Sequence, residues 1–279
     1  MNKALLAFAA VFLVCIGLVF WADSSSSKVI EPGPSAAPAT AAPTASPAPV
    51  GPAATPESTL QKTLLPLSPE DADYFKTLFM PINADHSPNR ELQKYRFSQM
   101  EVDGRHLLLT ADKQDGDYVS GKAESICSFL YGSLTFRLNT MRGAGLFPAV
   151  WLLPASGEQY PEVDIYELIG SDPSSWYGVS HYQEHTQHKR SFFKHTFAAD
   201  AVPDSCVIRF DWTPDAMTWY LDGEKVHSIT DHVPQVPMYL LANLAVGGTW
   251  AGDPNSTTPF PAILDIEFLE FKPGETYTR

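Results

Sequence analysis

The feature that most constrains this fold is a recurring alternation of apolar and polar residues with a period of two. In YGSLTFRLNT (131–140) and SCVIRFDWT (205–213), every second side chain in the alternating stretch is apolar. Successive side chains of a strand point to opposite faces, so this pattern predicts strands with one face on a core. Further strands are predicted at 106–111, 118–126, 239–246 and 263–271.

The segment WYLDGEKV (219–226) predicts a β-hairpin, because Asp-Gly is a favoured two-residue turn between strands. No long stretch with the 3.6-residue period of a helix competes with these strands. Many short strands separated by Gly, Pro and Asp are typical of a sandwich or barrel. We therefore expect one all-β domain over residues 68–279, a plausible size for such a unit.

Residues 23–67 have a different composition, dominated by Pro, Ala, Ser and Thr. They lack the large apolar side chains that offset the entropy lost when a chain is ordered. We expect a disordered, semi-stiff linker, which either tethers the domain away from a membrane or simply connects two parts of the chain.

The N-terminal segment 1–22 contains an uncharged run, ALLAFAAVFLVCIGLVFWA, from Ala4 to Ala22. As a helix it would rise about 28 Å, enough to cross a bilayer core. Lys3 precedes it and Asp23 follows it, which predicts a single-pass anchor with the later residues outside the cytoplasm. The alternative is a cleaved signal peptide and a secreted protein.

Charge and cysteine content exclude some classes. The chain carries 19 basic and 32 acidic side chains, a net charge of -13, whereas a nucleic-acid partner would require a basic footprint. Cys127 and Cys206, the cysteines outside the apolar run, show no zinc-ligand spacing, and the sequence leaves open whether they pair or remain buried thiols. We expect no cofactor and a monomer.

The segment PEVDIYELIG (161–170) places three carboxylates in an apolar strand. Glu162 and Asp164, two residues apart, share a face, whereas Glu167 would point to the opposite face. A β-bulge between Asp164 and Glu167 would bring all three to one face. The outer carboxyls would then lie about 5–7 Å apart, close to the spacing of roughly 5–5.5 Å in retaining glycoside hydrolysis.

Other interpretations of this strand remain open. The acids could simply face solvent on an exposed sheet, or three oxygen ligands could begin a calcium site. In the catalytic interpretation, Glu162 is the nucleophile and Glu167 the acid/base. Asp164 then helps to keep the acid/base protonated, since clustered like charges raise the pKa of a carboxyl.

The order of GAGLFPAVWLLP (143–154), EVDIYELIG (162–170), FDWTPDAMTWYLDGEKV (210–226) and LLANLAVGGTWAGDP (240–254) resembles the laminarinase-type glycoside hydrolases of family 16. The resemblance covers about residues 88–272. It implies a β-jelly-roll sandwich of two antiparallel sheets, with a substrate cleft on the concave face. It also implies endo-acting, retaining hydrolysis of a β-linked polysaccharide.

The same resemblance implies roles for individual residues. Glu162, Asp164 and Glu167 match the catalytic motif of the family. Substrate-binding positions are implied at Asn89, Glu91, Phe147, Trp151, His181 and Trp250. Phe147 stands where the family usually has tryptophan, which would reshape a glucose subsite. Asp265 resembles a structural calcium ligand, although its partner ligands are not evident, so we assign no metal site.

The segment HYQEHTQHKRSFFKH (181–195) is basic within an acidic chain. We expect a loop that either is merely solvated or binds an anionic sugar substituent. The expected activity is a glycosidase acting on β-1,3-, mixed-linkage or exopolysaccharide substrates. Transglycosylation, a carbohydrate-binding lectin and an export component with a vestigial site are the alternatives.

Overall fold

The computed structural model describes residues 72–87 and 89–278. The expected anchor (1–22) and linker (23–67) lie outside the described residues, as do the first residues of the expected domain. Within the described part of the chain, no helix combines the length and the apolarity that crossing a membrane requires.

Strands dominate these residues, with one α-helix, α1 (Ala72–Leu78), and one turn of 3₁₀-helix, Phe97–Gln99. The strands, numbered in chain order, are β1 (Phe79–Pro81), β2 (Gln93–Tyr95), β3 (Met100–Asp103), β4 (His106–Gln114), β5 (Asp117–Ser120), β6 (Lys122–Asn139), β7 (Leu146–Pro154), β8 (Glu162–Leu168), β9 (Ser175–Glu184), β10 (Gln187–Thr196), β11 (Ser205–Trp212), β12 (Met217–Leu221), β13 (Glu224–Ile229), β14 (Met238–Val246) and β15 (Ala262–Thr278).

The strands form two layers around one hydrophobic core, as predicted for an all-β jelly roll. One layer runs β10-β9-β8-β7-β14-β6. Strand β12, which pairs with β11 and β13, lies across the core from it, since Trp219 of β12 contacts Phe193 of β10. The hydrogen bonding is continuous between the two layers, because the 18-residue β6 pairs with β14 through its first half and with β11 through its second half. Val163, Phe136 and Ile266 are core residues drawn from different strands.

The predicted hairpin is confirmed. Strands β12 and β13 flank Asp222 and Gly223, which have φ values of 49° and 91°. Positive φ at both central residues is the requirement of the tight turn that matches the right-handed twist of a hairpin.

Cys127 and Cys206 are buried and free, so they serve as apolar core residues and do not form a disulfide.

Two expectations from the sequence are wrong. The segment 118–126 is not one strand, because Gly121 separates β5 from β6, and a side chain at Gly121 would lie 2.3 Å from the carbonyl oxygen of Gln99. The basic segment 181–195 is not a loop. It forms most of the β9–β10 hairpin, because alternate residues of β10, including Phe193, pack on the core while the others face solvent.

Candidate active site

A β-bulge in β8 brings the three acidic residues to one face of the sheet. Asp164 and Glu167 are three residues apart on β8, but their partners on β9, Val179 and Tyr177, are only two apart. The ladder with β7 shows the same extra residue, since Asp164 faces Trp151 and Tyr166 faces Val150. The predicted bulge is therefore confirmed on both sides of the strand.

The residues inside the bulge are held by the core. Ile165 and Tyr166 are both buried in the hydrophobic cluster, although they are adjacent in sequence. Trp219 of β12 donates its indole N–H to the carbonyl oxygen of Ile165 at 3.1 Å. This bond satisfies a buried polar group at the point where the ladder is interrupted. The opposite layer thus helps to fix the bulge.

The three carboxylates are desolvated and close enough to repel one another. Asp164 and Glu167 are 4% and 8% exposed, and Glu162 is partly exposed. Burial raises the pKa of the Glu167 carboxyl well above its ordinary value, and the charges of Asp164 and Glu162 add to the rise. Burial likewise raises the pKa of Glu162, with a further contribution from Asp164 and an opposing one from Lys122.

Asp164 lies between the two glutamates along β8, and one of its carboxylate oxygens is still able to accept a hydrogen bond. Its Oδ2 is buried and has no hydrogen-bond donor in good alignment among the described residues. The imidazole of His181 is close to it: Nε2 lies 3.3 Å from that oxygen and 3.9 Å from Oε1 of Glu162. Oδ2 of Asp164 can therefore accept a hydrogen bond from a neighbouring carboxyl when that carboxyl is protonated.

The ring of His181 is in turn held by His188. Nδ1 of His181 lies 2.8 Å from Nε2 of His188, so one ring donates to the other. His188 also stacks on Tyr160, with ring centroids 5.0 Å apart. Strand pairing explains the placement of His181, which lies directly opposite Glu162. The sequence-predicted His181 is thus at the carboxylate cluster.

Next to the carboxylates, strands β7, β14 and β6 continue the same face of the sheet. Trp151 lies opposite Asp164, and its indole N–H donates to Oδ1 of Asn243 at 2.8 Å. The ammonium of Lys122 lies 5.5 Å from the centre of the Trp151 ring and 3.4 Å from Glu124. Trp151 is therefore a partly exposed aromatic surface on this face, and it is not a member of the hydrophobic core.

Trp250 stands beside Tyr177, with ring centroids 5.1 Å apart in an edge-on contact. It also contacts Phe147 edge-on at 5.2 Å. Phe147 is only 6% exposed and belongs to a small apolar cluster beneath Trp250. Phe147 thus supports Trp250 and offers little surface of its own, while Tyr177 lies opposite Glu167.

Asn89 and Glu91 lie against the loop that follows β14. Glu91 pairs with Gly247, and Thr249 donates its backbone N–H and its hydroxyl to the carbonyl oxygen of Asn89, both at 2.8 Å. Gly248 has a φ of 107°, and a side chain there would lie 3.1 Å from Cγ of Glu91. This glycine therefore allows the close approach of the two segments.

Asp265 is far along the sheet from these residues. Its Oδ1 lies 2.8 Å from Nδ1 of His106. Within the described ranges, the side chains that bring three potential metal ligands within 4.8 Å of one another are Glu162, Asp164 and His181, and that group does not include Asp265. The resemblance to a calcium ligand at Asp265 thus remains without partner ligands.

Four residues of the site were not predicted: Lys122, Tyr177, His188 and Asn243. Lys122 and Asn243 are directly opposite each other in the ladder of β6 and β14, a long-range pairing that single-strand periodicity does not give. His188 was part of the basic segment but had no assigned partner, because the register of β9 and β10 decides what it contacts. For these four residues, the signal available in the sequence was the alternation within each strand, which indicates the face a side chain lies on but not the side chains it contacts.

Comparison with known proteins gives the family. The sequence pattern of Glycosyl hydrolases family 16 matches residues 89–260, more than half of the chain. A beta-glucanase from Rhodothermus marinus is 30% identical over 217 residues, covering 65% of this chain and 73% of that protein. The endo-1,3-1,4-beta-glycanase ExsH from Rhizobium meliloti is 32% identical over 157 residues, and the match spans 55% of this chain and only 33% of that protein.

Solved structures share the fold. The laminarinase catalytic domain from Thermotoga maritima superposes with a TM-score of 0.61 at 23% identity, covering 79% of this chain and 98% of that one. The endo-beta-1,3-glucanase from Pyrococcus furiosus gives 0.60 at 24% identity, covering 73% and 89%. The bulged acidic strand, the order of the strands and these matches lead to one conclusion: the chain belongs to glycosyl hydrolases family 16.

Proposed function

We propose that this protein is a retaining endo-β-glucanase that cleaves β-1,3- or mixed β-1,3/1,4-linked glucan. The observation that carries the proposal is the bulge in β8, which puts Glu162, Asp164 and Glu167 on one face in a desolvated cluster. The printed names of the relatives, a beta-glucanase and an endo-1,3-1,4-beta-glycanase, support the choice of substrate.

The electrostatic surroundings support distinct roles for the two glutamates. Glu167 is repelled by both Asp164 and Glu162, which favours its protonated form, as a general acid requires. Lys122 opposes the rise in the pKa of Glu162, and the His181 ring is also close to it. Lys122 thus favours the ionised form of Glu162 that a nucleophile requires, against burial and Asp164, which raise its pKa.

The reaction then proceeds in two displacements. A carboxylate oxygen of Glu162 forms a bond to the anomeric carbon while the glycosidic bond breaks and Glu167 donates its proton to the leaving oxygen. In the second step Glu167 accepts a proton from water, and the water oxygen displaces Glu162. Asp164 stabilises the changes of charge, since its buried Oδ2 is free to accept a hydrogen bond.

The floor of the cleft supports binding of a neutral sugar chain. Trp151, Tyr177 and Trp250 present aromatic surfaces along the strands that flank the carboxylates. Sugar rings have apolar faces that lie against aromatic rings, while indole N–H groups remain available for hydrogen bonds. The positions of Asn89 and Glu91 beside Gly247 and Thr249 support a continuation of the cleft on the opposite side of Glu162 from β10.

The proposed location is outside the cytoplasm, with the run from Ala4 to Ala22 as a membrane anchor. The support for this location is the length and apolarity of that run and the position of Lys3 before it. The mass of the protein isolated from membranes tests it, because loss of about the first 22 residues would instead indicate a cleaved signal peptide.

The experiment that tests the activity follows the first product by proton NMR. The full-length protein is mixed with laminarin or mixed-linkage β-glucan, and the anomeric signals of new reducing ends are recorded before mutarotation. A retaining enzyme releases the β-anomer first. Release of the α-anomer would contradict the two-step mechanism, and the absence of any cleavage would contradict the proposed function.

A further inference from the structure

Strand β10 divides its charges unequally between its two faces. Its side chains alternate along the strand between exposed residues and half-buried ones. Arg190 is directly opposite His181, which is opposite Glu162, so these three side chains share the face of the sheet that carries the carboxylates. The exposed residues on that face are His188, Arg190, Phe192 and Lys194, and the half-buried residues on the other face are Lys189, Ser191, Phe193 and His195.

Arg190 and Lys194 differ in how their charges are compensated. The ammonium of Lys194 lies 3.5 Å from Oδ2 of Asp172 and 5.6 Å from the centre of the Tyr177 ring. Arg190 has no ion pair among the residues that the structure describes, and its guanidinium lies over the ring of Phe192, 5.4 Å from the centroid. Arg190 is therefore an uncompensated cation in a chain whose net charge is -13.

Phe192 is a large apolar side chain left in solvent. It is 54% exposed, whereas its neighbour Phe193 packs against Trp176 and Trp219 of the core. Strand pairing places Phe192 opposite Val179, which is opposite Asp164. An exposed aromatic ring with a guanidinium above it thus lies on the same face as the carboxylates, two strands away.

Protection of the sheet edge does not explain this pair. β10 is the last strand in the order β10-β9-β8-β7, and charged residues on an edge strand discourage pairing with another chain. A protective role would be served by a charge on either face, and an exposed phenylalanine would oppose it. The pair instead has the two parts of a sugar-binding subsite for a charged unit: an apolar face and a hydrogen-bonding fork.

We propose that Arg190 and Phe192 form a subsite at the β10 end of the cleft for a β-glucan unit that carries an oxyanion substituent, a carboxylate or a sulfate. The ring of Phe192 lies against a sugar face, and the guanidinium of Arg190 donates hydrogen bonds to the substituent. The preferred substrate is then an anionic β-glucan. This inference rests on the proposed glucanase function and specifies its substrate class.

The subsite solves an electrostatic problem of the cleft. The three carboxylates repel an anionic polymer that approaches them. A cation that lies beside the anionic substituent of the polymer reduces this repulsion. Arg190 lies on the same face as the carboxylates, two strands away, and its effect on the pKa of Glu167 is smaller than those of burial, Asp164 and Glu162. Since exposed charges are screened over about 8–10 Å, the benefit is local to this end of the cleft and falls as salt is added.

The test compares three polymers made from one batch of mixed-linkage glucan: the neutral parent, a lightly carboxymethylated form and a lightly sulfated form. We expect Arg190→Gln in the full-length chain to lower kcat/KM about tenfold on the polymer that carries the recognised substituent. The same variant should change kcat/KM on the neutral parent less than about twofold. The two anionic polymers show which substituent is recognised.

Lys189→Gln is the matched control, because Lys189 is the adjacent cation on the opposite face of the same strand. It should leave all three values unchanged. Arg190→Lys keeps the charge but loses the planar fork, and it should retain only part of the preference. Equal losses on neutral and anionic polymers in Arg190→Gln would overturn the subsite, since they would mean that Arg190 acts only through Glu167.

Affinity electrophoresis separates failure of the subsite from failure of the proposed function. If the wild-type protein cleaves none of the polymers, the glucanase proposal fails. The subsite is then judged by migration in gels that contain the neutral, carboxymethylated or sulfated glucan. Greater retardation of the wild type than of Arg190→Gln in an anionic gel supports the subsite, and equal migration in every gel overturns it.

Discussion

Strands β8 and β10 belong to the same layer and place charged side chains on the same face of it, but the charges are opposite in sign and differ in burial. β8 has a neighbour on each side, and its acidic residues Asp164 and Glu167 are buried. β10 is the last strand of the layer, and its Arg190 is exposed. Position in the sheet therefore decides whether a charged side chain is desolvated.

The difference has a chemical consequence. Burial raises the pKa values of Glu162 and Glu167, because a desolvated carboxyl favours its protonated form over its charged form. An exposed arginine keeps its charge without a desolvation cost and can contact a polymer that enters from solvent. The inner strand is thus suited to bond breaking, and the edge strand to recognition.

The largest expected effect is on the inner strand. Glu162→Gln and Glu167→Gln should each lower kcat on β-glucan by about 10³-fold or more, because in the proposed mechanism each of these carboxyls acts directly on the reacting bond. Glu184→Gln is a suitable control, since Glu184 is an exposed acid at the end of β9. Activity within about tenfold of wild type in both active-site variants would contradict the assignment.

A smaller effect is expected at His188 of β10, which contacts His181 on β9, the strand between β8 and β10. His188→Phe keeps the stacking on Tyr160 but removes the hydrogen bond to His181. Because such a bond is worth about 1–1.5 kcal/mol, kcat should fall roughly five- to tenfold, with a displaced pH profile. His188→Gln can still hydrogen-bond and should recover part of the loss. An unchanged pH profile in His188→Phe would exclude a positioning role.

The bulge itself can be tested from the other layer. Trp219→Phe leaves the buried carbonyl oxygen of Ile165 without a donor, which should cost about 1–3 kcal/mol of stability. We also expect kcat to fall a few-fold as the bulge relaxes. Trp212→Phe is the matched control, because Trp212 donates in the same way to Pro234 at 3.1 Å.

Thermal denaturation and kinetics of these two variants give the comparison. Both should lose stability, and only Trp219→Phe should lose kcat. Equal kcat in the two variants would show that the bulge does not depend on Trp219.

The smallest expected effect is a gain of stability that depends on pH. The pKa of Glu167 is raised in the folded state above the ordinary glutamate value of 4.5. At a pH above 4.5, the folded protein therefore keeps a proton on this carboxyl that the unfolded chain has released. Stability is therefore lost as the pH rises above that value. Glu167→Gln should melt a few degrees higher than wild type near pH 7, given roughly 2–4 °C for each kcal/mol in a domain of this size.

Melting curves measured from pH 4 to pH 8 test this sign. Wild type and Glu167→Gln should have nearly equal Tm values at pH 4 and diverge as the pH rises. A constant difference across the range would mean that the substitution acts through packing rather than through the carboxyl.

The sequence was most informative where one strand decides the outcome. The uneven spacing of Glu162, Asp164 and Glu167 predicted the bulge. Without one inserted residue, Glu167 would point to the face opposite the other two acids. The Asp222-Gly223 turn was equally local. In both cases the backbone requirement is contained in a few neighbouring residues.

The sequence was least informative where pairing between distant strands decides. The basic segment 181–195 was expected to be a loop, because its many charged residues obscured the alternation of exposed and half-buried side chains that begins at His188 and Lys189. The positions of Lys122 and Asn243 depend on the register of β6 with β14. Such registers follow from packing of the whole core, which no single segment encodes.

The burial of Phe147 shows a further limit. The family resemblance identified it as a substrate-binding position, but the structure places its ring beneath Trp250. The sequence does not show which of two aromatic residues covers the other. Contact between Phe147 and a sugar therefore remains a prediction, and Trp250 is the more exposed surface.

The most direct test of the central claim is covalent trapping on β8. The protein is incubated with a 2-deoxy-2-fluoro glucan oligosaccharide that has a good leaving group, which slows release of the glycosyl-enzyme. Peptide mass spectrometry then locates the added sugar. A sugar attached to Glu162 is the expected result. Attachment to Glu167, or turnover with no adduct and release of the α-anomer, would contradict the roles assigned to the two glutamates.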